Sequence, residues 1–190
     1  MKLDGLRVAV LATDGYETSE LTDPTRALRE AGATTTLISN HDGTIKGKTD
    51  ADLADVDLTL DAAKPDDYDA LLLPGGVKNP DTLRQDERAV SFVRAIHDAG
   101  KPIAAICHAP WMLVEADVVR GRRVTSYPSL KTDIRNAGGE WVDEEVVVDQ
   151  GIVTSRTPKD IPAFNAKMFE EFAEGTHPRR LATPASGTVG

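Results

Sequence analysis

Short apolar or β-branched runs alternate with longer amphipathic segments over much of the chain. Runs of this length that stay apolar throughout are typical of strands buried on both faces of a sheet. Two intervening segments, residues 18–31 and 86–99, have helical spacing, and each is followed by a glycine that can end a helix. The runs that we predict to be strands are LRVAVLA at 6–12, ATTTLIS at 33–39, DALLL at 69–73 and PIAAI at 102–106.

This alternation of strands and helices predicts an α/β fold, with a mostly parallel sheet and helices on both faces. Towards the C-terminus, EEVVVD and GIVTS flank a Gln-Gly pair and predict a hairpin or two adjacent short strands. Residues 158–174 predict a last helix. Its apolar stripe, which favours a core or subunit contact over a ligand site, consists of Phe164, Met168, Phe169 and Phe172.

Composition limits the classes of protein that the chain can represent. The 190 residues are enough for one domain with a real core, and we expect a single domain over 1–175 and a flexible tail over 176–190, which is rich in Pro, Gly, Ser and Thr. A net charge of −9 with no basic stripe argues against nucleic acid and anionic membranes as partners. No apolar run reaches the roughly 20 residues that span a bilayer.

The cysteine and histidine content indicates a protein of the cytoplasm without a metal site. A single cysteine excludes an internal disulfide, and the N-terminus lacks the pattern of a signal peptide. The four histidines are scattered, and neither CxxC nor HExxH occurs. We therefore expect a cytoplasmic location, no metal and no cofactor.

The one cysteine stands in a pattern that suits a nucleophile. Ala105 and Ala109 lie two residues before and after Cys107, as the sharp turn of a nucleophile elbow requires. Pro110 suits the first turn of a following helix, whose dipole would lower the pKa of the thiol. The alternative is an inert cysteine in the core, since free cysteine is among the most buried residue types.

Two further loops carry candidate chemistry. The carboxyl ends of parallel strands meet at one edge of a sheet, so the loops after the predicted strands lie near Cys107. Gly75-Gly76 can offer backbone N–H groups as an oxyanion hole, although a plain turn is the commoner use of such a pair. Glu17 and Glu20 lie three apart, so one can start the helix while the other points at the thiol.

At this point the residues match a family pattern. The segments GYETSEL, LLLPGG, AICHAP, EVVVD and VTSRTP, in this order, resemble the PfpI family of the class I glutamine amidotransferase-like superfamily. The resemblance implies a flavodoxin-like three-layer α/β sandwich with a mostly parallel sheet. It also implies homodimers or rings of dimers, and chemistry without a cofactor.

The resemblance further implies roles for individual residues. Cys107 is the reactive cysteine with His108 beside it, and Glu20 is the acid that hydrogen-bonds the thiol, with Glu17 as the second choice. Asp81 is the nearest equivalent of a carboxylate that completes a Cys-His-acid arrangement from a neighbouring subunit, although its loop is one residue longer and its side chain one methylene shorter than in the family. Gly76 would supply one oxyanion donor.

His108 has two possible roles in this reading. Its backbone N–H can pair with that of Gly76 as an oxyanion donor. Its imidazole can act as a general base only if the elbow bends it back towards the thiol, because neighbouring side chains in a chain usually point apart.

Three functions are compatible with these residues. The first is a stress-response cysteine hydrolase that acts on small carbonyl or glycated, methylglyoxal-derived substrates, as a deglycase or glyoxalase does. The second is an intracellular cysteine peptidase, which we rank lower because no insertion is present that would build a peptide groove. The third is a non-catalytic redox-sensing or chaperone-like stress protein.

Overall fold

The apolar runs lie side by side in one twisted sheet. The computed structural model describes residues 2–49 and 51–177, and within these ranges the main sheet has seven strands in the order β10-β11-β7-β6-β1-β2-β5. All neighbouring strands are parallel except β10 and β11, which form an antiparallel edge. The strands are β1 (Arg7–Leu11), β2 (Thr34–Ser39), β5 (Leu58–Thr59), β6 (Ala70–Leu73), β7 (Ile103–Ile106), β10 (Val146–Asp149) and β11 (Ile152–Ser155).

Two smaller pairs of strands accompany the main sheet. One pair is antiparallel and the other is parallel. They are β3 (Thr44–Lys46) with β4 (Leu53–Asp55), and β8 (Arg123–Val124) with β9 (Glu140–Trp141). The helices are α1 (Thr18–Glu30), α2 (Lys78–Leu83), α3 (Glu87–Asp98), α4 (Pro110–Glu115), α5 (Lys131–Asn136) and α6 (Ile161–Glu174).

Helices cover both faces of the sheet, because successive side chains of each central strand point to opposite faces. On one face, alternate residues of β1, β6 and β7 pack against α3 and α4, and on the other they pack against α1 and α6. The fold is therefore a three-layer α/β sandwich with a mostly parallel sheet, and this prediction is confirmed. In α6, Phe164, Met168 and Phe172 have no solvent exposure, so this stripe belongs to the core.

The predicted hairpin near the C-terminus is the β10–β11 edge. Gln150 and Gly151 form its two-residue turn, and both have positive φ, at 48° and 79°. A turn of this kind matches the right-handed twist of the flanking strands. The predicted tail begins at residue 176 and lies outside the described residues from 178 onwards; within it, the His177 N–H donates to the Gly100 carbonyl at 2.7 Å.

Strand direction places the candidate residues at one edge. β1, β6 and β7 are adjacent and parallel, so the loops that follow Leu11, Leu73 and Ile106 emerge side by side. Within the described ranges, no helix combines the length and the apolar character that a membrane crossing requires.

Candidate active site

Cys107 sits on a sharp turn directly after β7. Its φ is +64°, a left-handed conformation that costs a residue other than glycine on the order of 1–3 kcal/mol. Backbone hydrogen bonds hold the turn on both sides: the Cys107 N–H donates to Ser155 O at 3.0 Å, and the Tyr127 N–H donates to Cys107 O at 2.8 Å. The side chain lies on the floor of an open cleft of about 670 Å³.

The imidazole of His108 is bent back onto the thiol. Its Nδ1 lies 3.2 Å from Cys107 Sγ, and its Nε2 lies 3.2 Å from Ser129 Oγ. The Tyr127 ring stacks on it with centroids 4.5 Å apart and planes 22° apart. Burial lowers the pKa of His108, so the ring is neutral at neutral pH and can accept a proton from the thiol.

Glu20 is the acid that faces the thiol. It lies in the first turn of α1 with no solvent exposure, and its Oε2 accepts the Gly75 N–H at 3.1 Å. Burial, reinforced by the negative charge of Glu17, raises the pKa of Glu20 to about 8, and the interaction of the carboxyl group with Cys107 opposes this rise. At neutral pH Glu20 is therefore a protonated acid beside the sulfur.

The pKa of the thiol is raised, so the prediction that it is lowered at this turn is wrong. Burial is the main cause and the charge of an ionised Glu20 the second, and together they raise the pKa of Cys107 to about 12. The N–H groups of Gly76 and His108 act in the opposite direction but do not compensate. Cys107 therefore rests as a thiol and needs a base at the moment it attacks.

The loop at Gly75 and Gly76 has no room for a side chain at either position. A Cβ at Gly75 would stand 2.3 Å from Glu20 Oε2, and a Cβ at Gly76, whose φ is +84°, would stand 2.3 Å from Gly15 O. The missing side chains let the loop approach the thiol, and the N–H groups of Gly76 and His108 favour its ionised form, which lowers the pKa of Cys107. Two such donors at a nucleophile can hold a developing oxyanion.

Asn79, which no sequence motif predicts, links the loops that follow β1 and β6. Asn79 is buried, and its side-chain amide donates to Pro74 O and Gly75 O at 2.9 Å each. Its Oδ1 accepts the Thr13 N–H at 2.7 Å. A lone asparagine after a Gly-Gly turn is the only sequence signal for this role, since Asn is common in loops for many reasons.

The other two predicted acids take different positions relative to the cleft. Glu17 lines the cleft at the start of α1, without a capping hydrogen bond, and its Oε2 is 3.8 Å from Lys48 Nζ. Asp81 lies in α2, does not line the cleft and binds Arg84 Nε and Nη2 at 2.9 and 2.8 Å. One chain therefore does not bring Asp81 to Cys107, and its role from a neighbouring subunit stays a prediction.

A possible metal-binding group lies away from the cleft. Among the described residues, one set of side chains is close enough to share an ion, namely Glu171, Glu174 and His177. They lie at and beyond the C-terminal end of α6, near the amino ends of β7 and β11 and thus at the opposite edge of the sheet.

Comparison with known proteins agrees with this geometry. Residues 6–171 match the DJ-1/PfpI family. The chain belongs to this family. It is 48% identical over 161 residues to protein/nucleic acid deglycase 2 of Escherichia coli, covering 84% of this chain and 93% of the relative. It is 47% identical over 163 residues to general stress protein 18 of Bacillus subtilis, covering 85% and 94%.

A solved family structure confirms the flavodoxin-like fold class. The crystal structure of Drosophila melanogaster DJ-1beta superimposes with a TM-score of 0.79 at 29% identity, covering 92% of this chain and 95% of that one. The family membership that the AICHAP and LLLPGG segments predicted is therefore confirmed, and the family match covers nearly the whole described fold.

Proposed function

We propose that this DJ-1/PfpI family member is a cysteine-dependent hydrolase of small carbonyl compounds and methylglyoxal-derived glycated amines. The observation that carries the proposal is the 3.2 Å contact between Cys107 Sγ and the neutral His108 Nδ1, beside two N–H donors and a protonated Glu20. The named activity of the deglycase relative in Escherichia coli supports the same chemistry.

The first step is addition of the thiol to a carbonyl. As the Cys107 S–H bond breaks, its proton passes to His108 Nδ1 and the sulfur forms a bond to the carbonyl carbon. The C=O π electrons move to oxygen, which the N–H groups of Gly76 and His108 then hold. Because the thiol is weakly acidic, this concerted proton transfer replaces a preformed thiolate.

The later steps need a proton carrier and water. When His108 returns the proton to the oxyanion, a bound 2-oxoaldehyde becomes a hemithioacetal. Moving one proton from its first carbon to its second, and the hydroxyl proton from the first oxygen to the second, turns it into a thioester. Glu20 suits that transfer because a pKa of about 8 leaves both its acid and base forms accessible near neutral pH. Water then splits the thioester into a 2-hydroxy acid and the free thiol, without an oxidant or a reductant. With a glycated amine in its hemiaminal form, the C–N bond breaks as the C–S bond forms, and the amine leaves with the thiol proton that His108 has carried, which gives the same hemithioacetal.

Two observations favour this function over its alternatives. A cleft of about 670 Å³ is of the size that holds small molecules. Oxidation of a cysteine follows its thiolate character, and burial raises the pKa of Cys107, which argues against a role as a redox sensor alone.

The test compares wild type with Cys107→Ala and with Ser91→Ala, an exposed serine of α3 that serves as the matched control. Wild type and Ser91→Ala should form a 2-hydroxy acid from methylglyoxal and release the amine from methylglyoxal-treated N-acetyllysine, and Cys107→Ala should do neither. Equal rates in the Cys107 variant, or cleavage of casein without carbonyl turnover, would overturn the proposal in favour of another nucleophile or of a peptidase.

We also propose a homo-oligomer, as the family resemblance suggests, and a cytoplasmic location, as the single cysteine and the N-terminal pattern suggest. Light scattering of the full chain gives its mass in solution, and cell fractionation gives its location. Activity that depends on Asp81 only in the oligomer would support a role for this carboxylate across subunits.

A further inference from the structure

His108 is held from two sides by hydrogen bonds. Its Nδ1 faces Cys107 Sγ and its Nε2 faces Ser129 Oγ, each at 3.2 Å, so the three side chains form one hydrogen-bonded chain. Ser129 lies in a short 3₁₀ turn, Pro128–Leu130, which comes from a part of the chain outside every motif that the sequence reasoning used.

We infer that Ser129 is a positioning residue, which holds His108 in the tautomer and orientation that let Nδ1 take the proton of Cys107. The inference rests on the proposed function, because it assigns a role within the same site. Ser129 acts through the imidazole and does not itself touch the reacting atoms.

The hydroxyl suits this role because of its hydrogen-bonding capacity. A general base at Nδ1 requires that position to be free of a proton, so the proton of the neutral ring must sit on Nε2. Ser129 Oγ can accept that Nε2–H, and it can still accept it after the ring has become an imidazolium. The same contact therefore serves the ring before and after proton transfer.

A neutral partner also keeps the base neutral. A carboxylate at Nε2 would favour the imidazolium and raise the pKa of His108, whereas a hydroxyl leaves the effect of burial in place. Asp81, the equivalent of the carboxylate that completes the Cys-His-acid arrangement in the family pattern, is engaged with Arg84 at 2.8 Å. Within one chain the outer nitrogen is thus left to the serine.

The other groups around His108 fix the plane of its ring. Tyr127 stacks on one side, and the Trp111 ring lies at 5.3 Å with planes 59° apart. The titratable or charged groups next to the imidazole or to the rings packed on it are Cys107, Tyr127, Glu20 across the thiol, Arg84, which lies over Trp111, and Asp133, which accepts the Trp111 Nε1–H at 2.8 Å. None of these groups is the partner that the structure gives to Nε2, so the orientation of the ring within its plane depends on Ser129 together with the contact between Nδ1 and Cys107.

The experiment measures the thiol without a substrate. Cys107 is the only cysteine, so the rate of alkylation by iodoacetamide as a function of pH reports on this site alone. We expect Ser129→Ala to slow alkylation near neutral pH on the order of 10-fold, a fraction of what a positioned base contributes. Ser129→Thr keeps the hydroxyl and should restore the rate, and Ser91→Ala should match wild type.

A second readout follows the base itself. Nitrogen-15 NMR of labelled histidine, with His108 assigned through a His108→Gln variant, gives its tautomer and its pKa. We expect the Nε2–H form in wild type and in Ser129→Thr, a mixture of tautomers in Ser129→Ala, and a raised pKa of His108 in Ser129→Asp. In Ser129→Asp the acidic limb of the alkylation profile should move to higher pH by the same amount.

The outcomes separate this inference from the proposed function. A wild-type tautomer and alkylation profile in Ser129→Ala would overturn the inference, whatever the protein does to carbonyl compounds. The expected changes in Ser129→Ala would support it, even if methylglyoxal and glycated amines were not turned over and the proposed function had failed.

Discussion

Folding removes Glu20 from solvent, and a negative charge on its buried carboxyl group raises the free energy of the folded state. The folded protein holds this proton up to a pKa of about 8, whereas an ordinary glutamate releases it near 4.5. Between these two pH values the folded state binds more protons than the unfolded state, so the free energy of unfolding falls as pH rises. We expect Glu20→Gln to remove most of this fall, which is on the order of a few kcal/mol.

Urea unfolding of wild type and Glu20→Gln near pH 5 and near pH 9 checks this prediction. Glu30→Gln, which changes an exposed glutamate at the end of α1, serves as the control and should keep the wild-type dependence. If Glu20→Gln loses stability with rising pH as steeply as wild type, the proton is held elsewhere.

Gly76 offers a second test at a single residue. A Cβ there would meet the backbone of Gly15 at 2.3 Å and that of Glu17 at 2.8 Å, whereas Gly43 has nearly the same φ, +82°, and open space around it. Gly43→Ala should therefore cost only the conformational strain, about 1 kcal/mol. Gly76→Ala should cost at least about 2–3 kcal/mol and should slow alkylation of Cys107, because the loop must move.

Thermal unfolding of the two alanine variants, together with their alkylation rates, measures the difference. Similar losses of stability in both, with normal reactivity of Cys107, would mean that the loop relaxes without disturbing the thiol.

The candidate site was only partly predictable at this scale. The sequence places Cys107, Glu20 and Gly76 together because each follows a strand of a parallel sheet. The direction of the His108 ring depends on the positive φ of Cys107 and on the stacked Tyr127, which is distant in sequence. The sign of the thiol pKa shift was missed because the degree of burial, which outweighs a dipole here, is not readable from local pattern.

At the scale of elements, Gln150 in the β10–β11 turn adopts a backbone conformation that is unfavourable for glutamine. Gln150 adopts a φ of +48° in a two-residue turn with Gly151, a position where asparagine is strongly preferred. We expect Gln150→Asn to raise the free energy of unfolding by about 0.5–1 kcal/mol, because Asn tolerates the left-handed region better.

Urea unfolding of wild type and Gln150→Asn measures this difference in the free energy of unfolding. The control is Gln150→Ala, which removes the glutamine side chain but lacks the preference of asparagine for the left-handed region. The alanine variant should be no more stable than wild type. A gain of equal size in both variants would assign the effect to loss of the glutamine side chain instead of to the turn.

The elements that the sequence predicts are those with a strong apolar pattern. β1, β6 and β7 are continuous apolar runs, and α1 and α3 end at or within one residue of their predicted limits. β8 and β9 have two residues each, and α5 buries only Ile134, so none of these has a pattern long enough to recognise. Their segment nevertheless supplies Ser129 and Tyr127 to the site, which is why part of the site stayed hidden.

At the scale of the whole molecule, the net charge is −9, whereas the side chains that line the cleft include three lysines. Lys46, Lys48 and Lys78 line the cleft, together with the carboxylates Asp14 and Glu17 and with Glu20, whose pKa of about 8 keeps it protonated at neutral pH. Screening in about 0.1 M salt reduces the influence of charges beyond roughly 10 Å, so the residues at the mouth outweigh the rest of the surface. The protein as a whole therefore repels anions, while the approach to Cys107 favours them.

Alkylation by a charged and an uncharged reagent separates these two effects. We expect Lys78→Gln to slow the reaction of Cys107 with iodoacetate about two-fold, because one unit charge at the mouth is worth about 0.5 kcal/mol in a solvent-like dielectric, and to leave the reaction with iodoacetamide unchanged. Lys64→Gln makes the same change in net charge at an exposed residue before β6, at the opposite edge of the sheet. If both variants slowed iodoacetate equally, the total charge would control access and the cleft lysine would not. Because added salt screens the exposed ammonium of Lys78, it should also abolish the difference between wild type and Lys78→Gln.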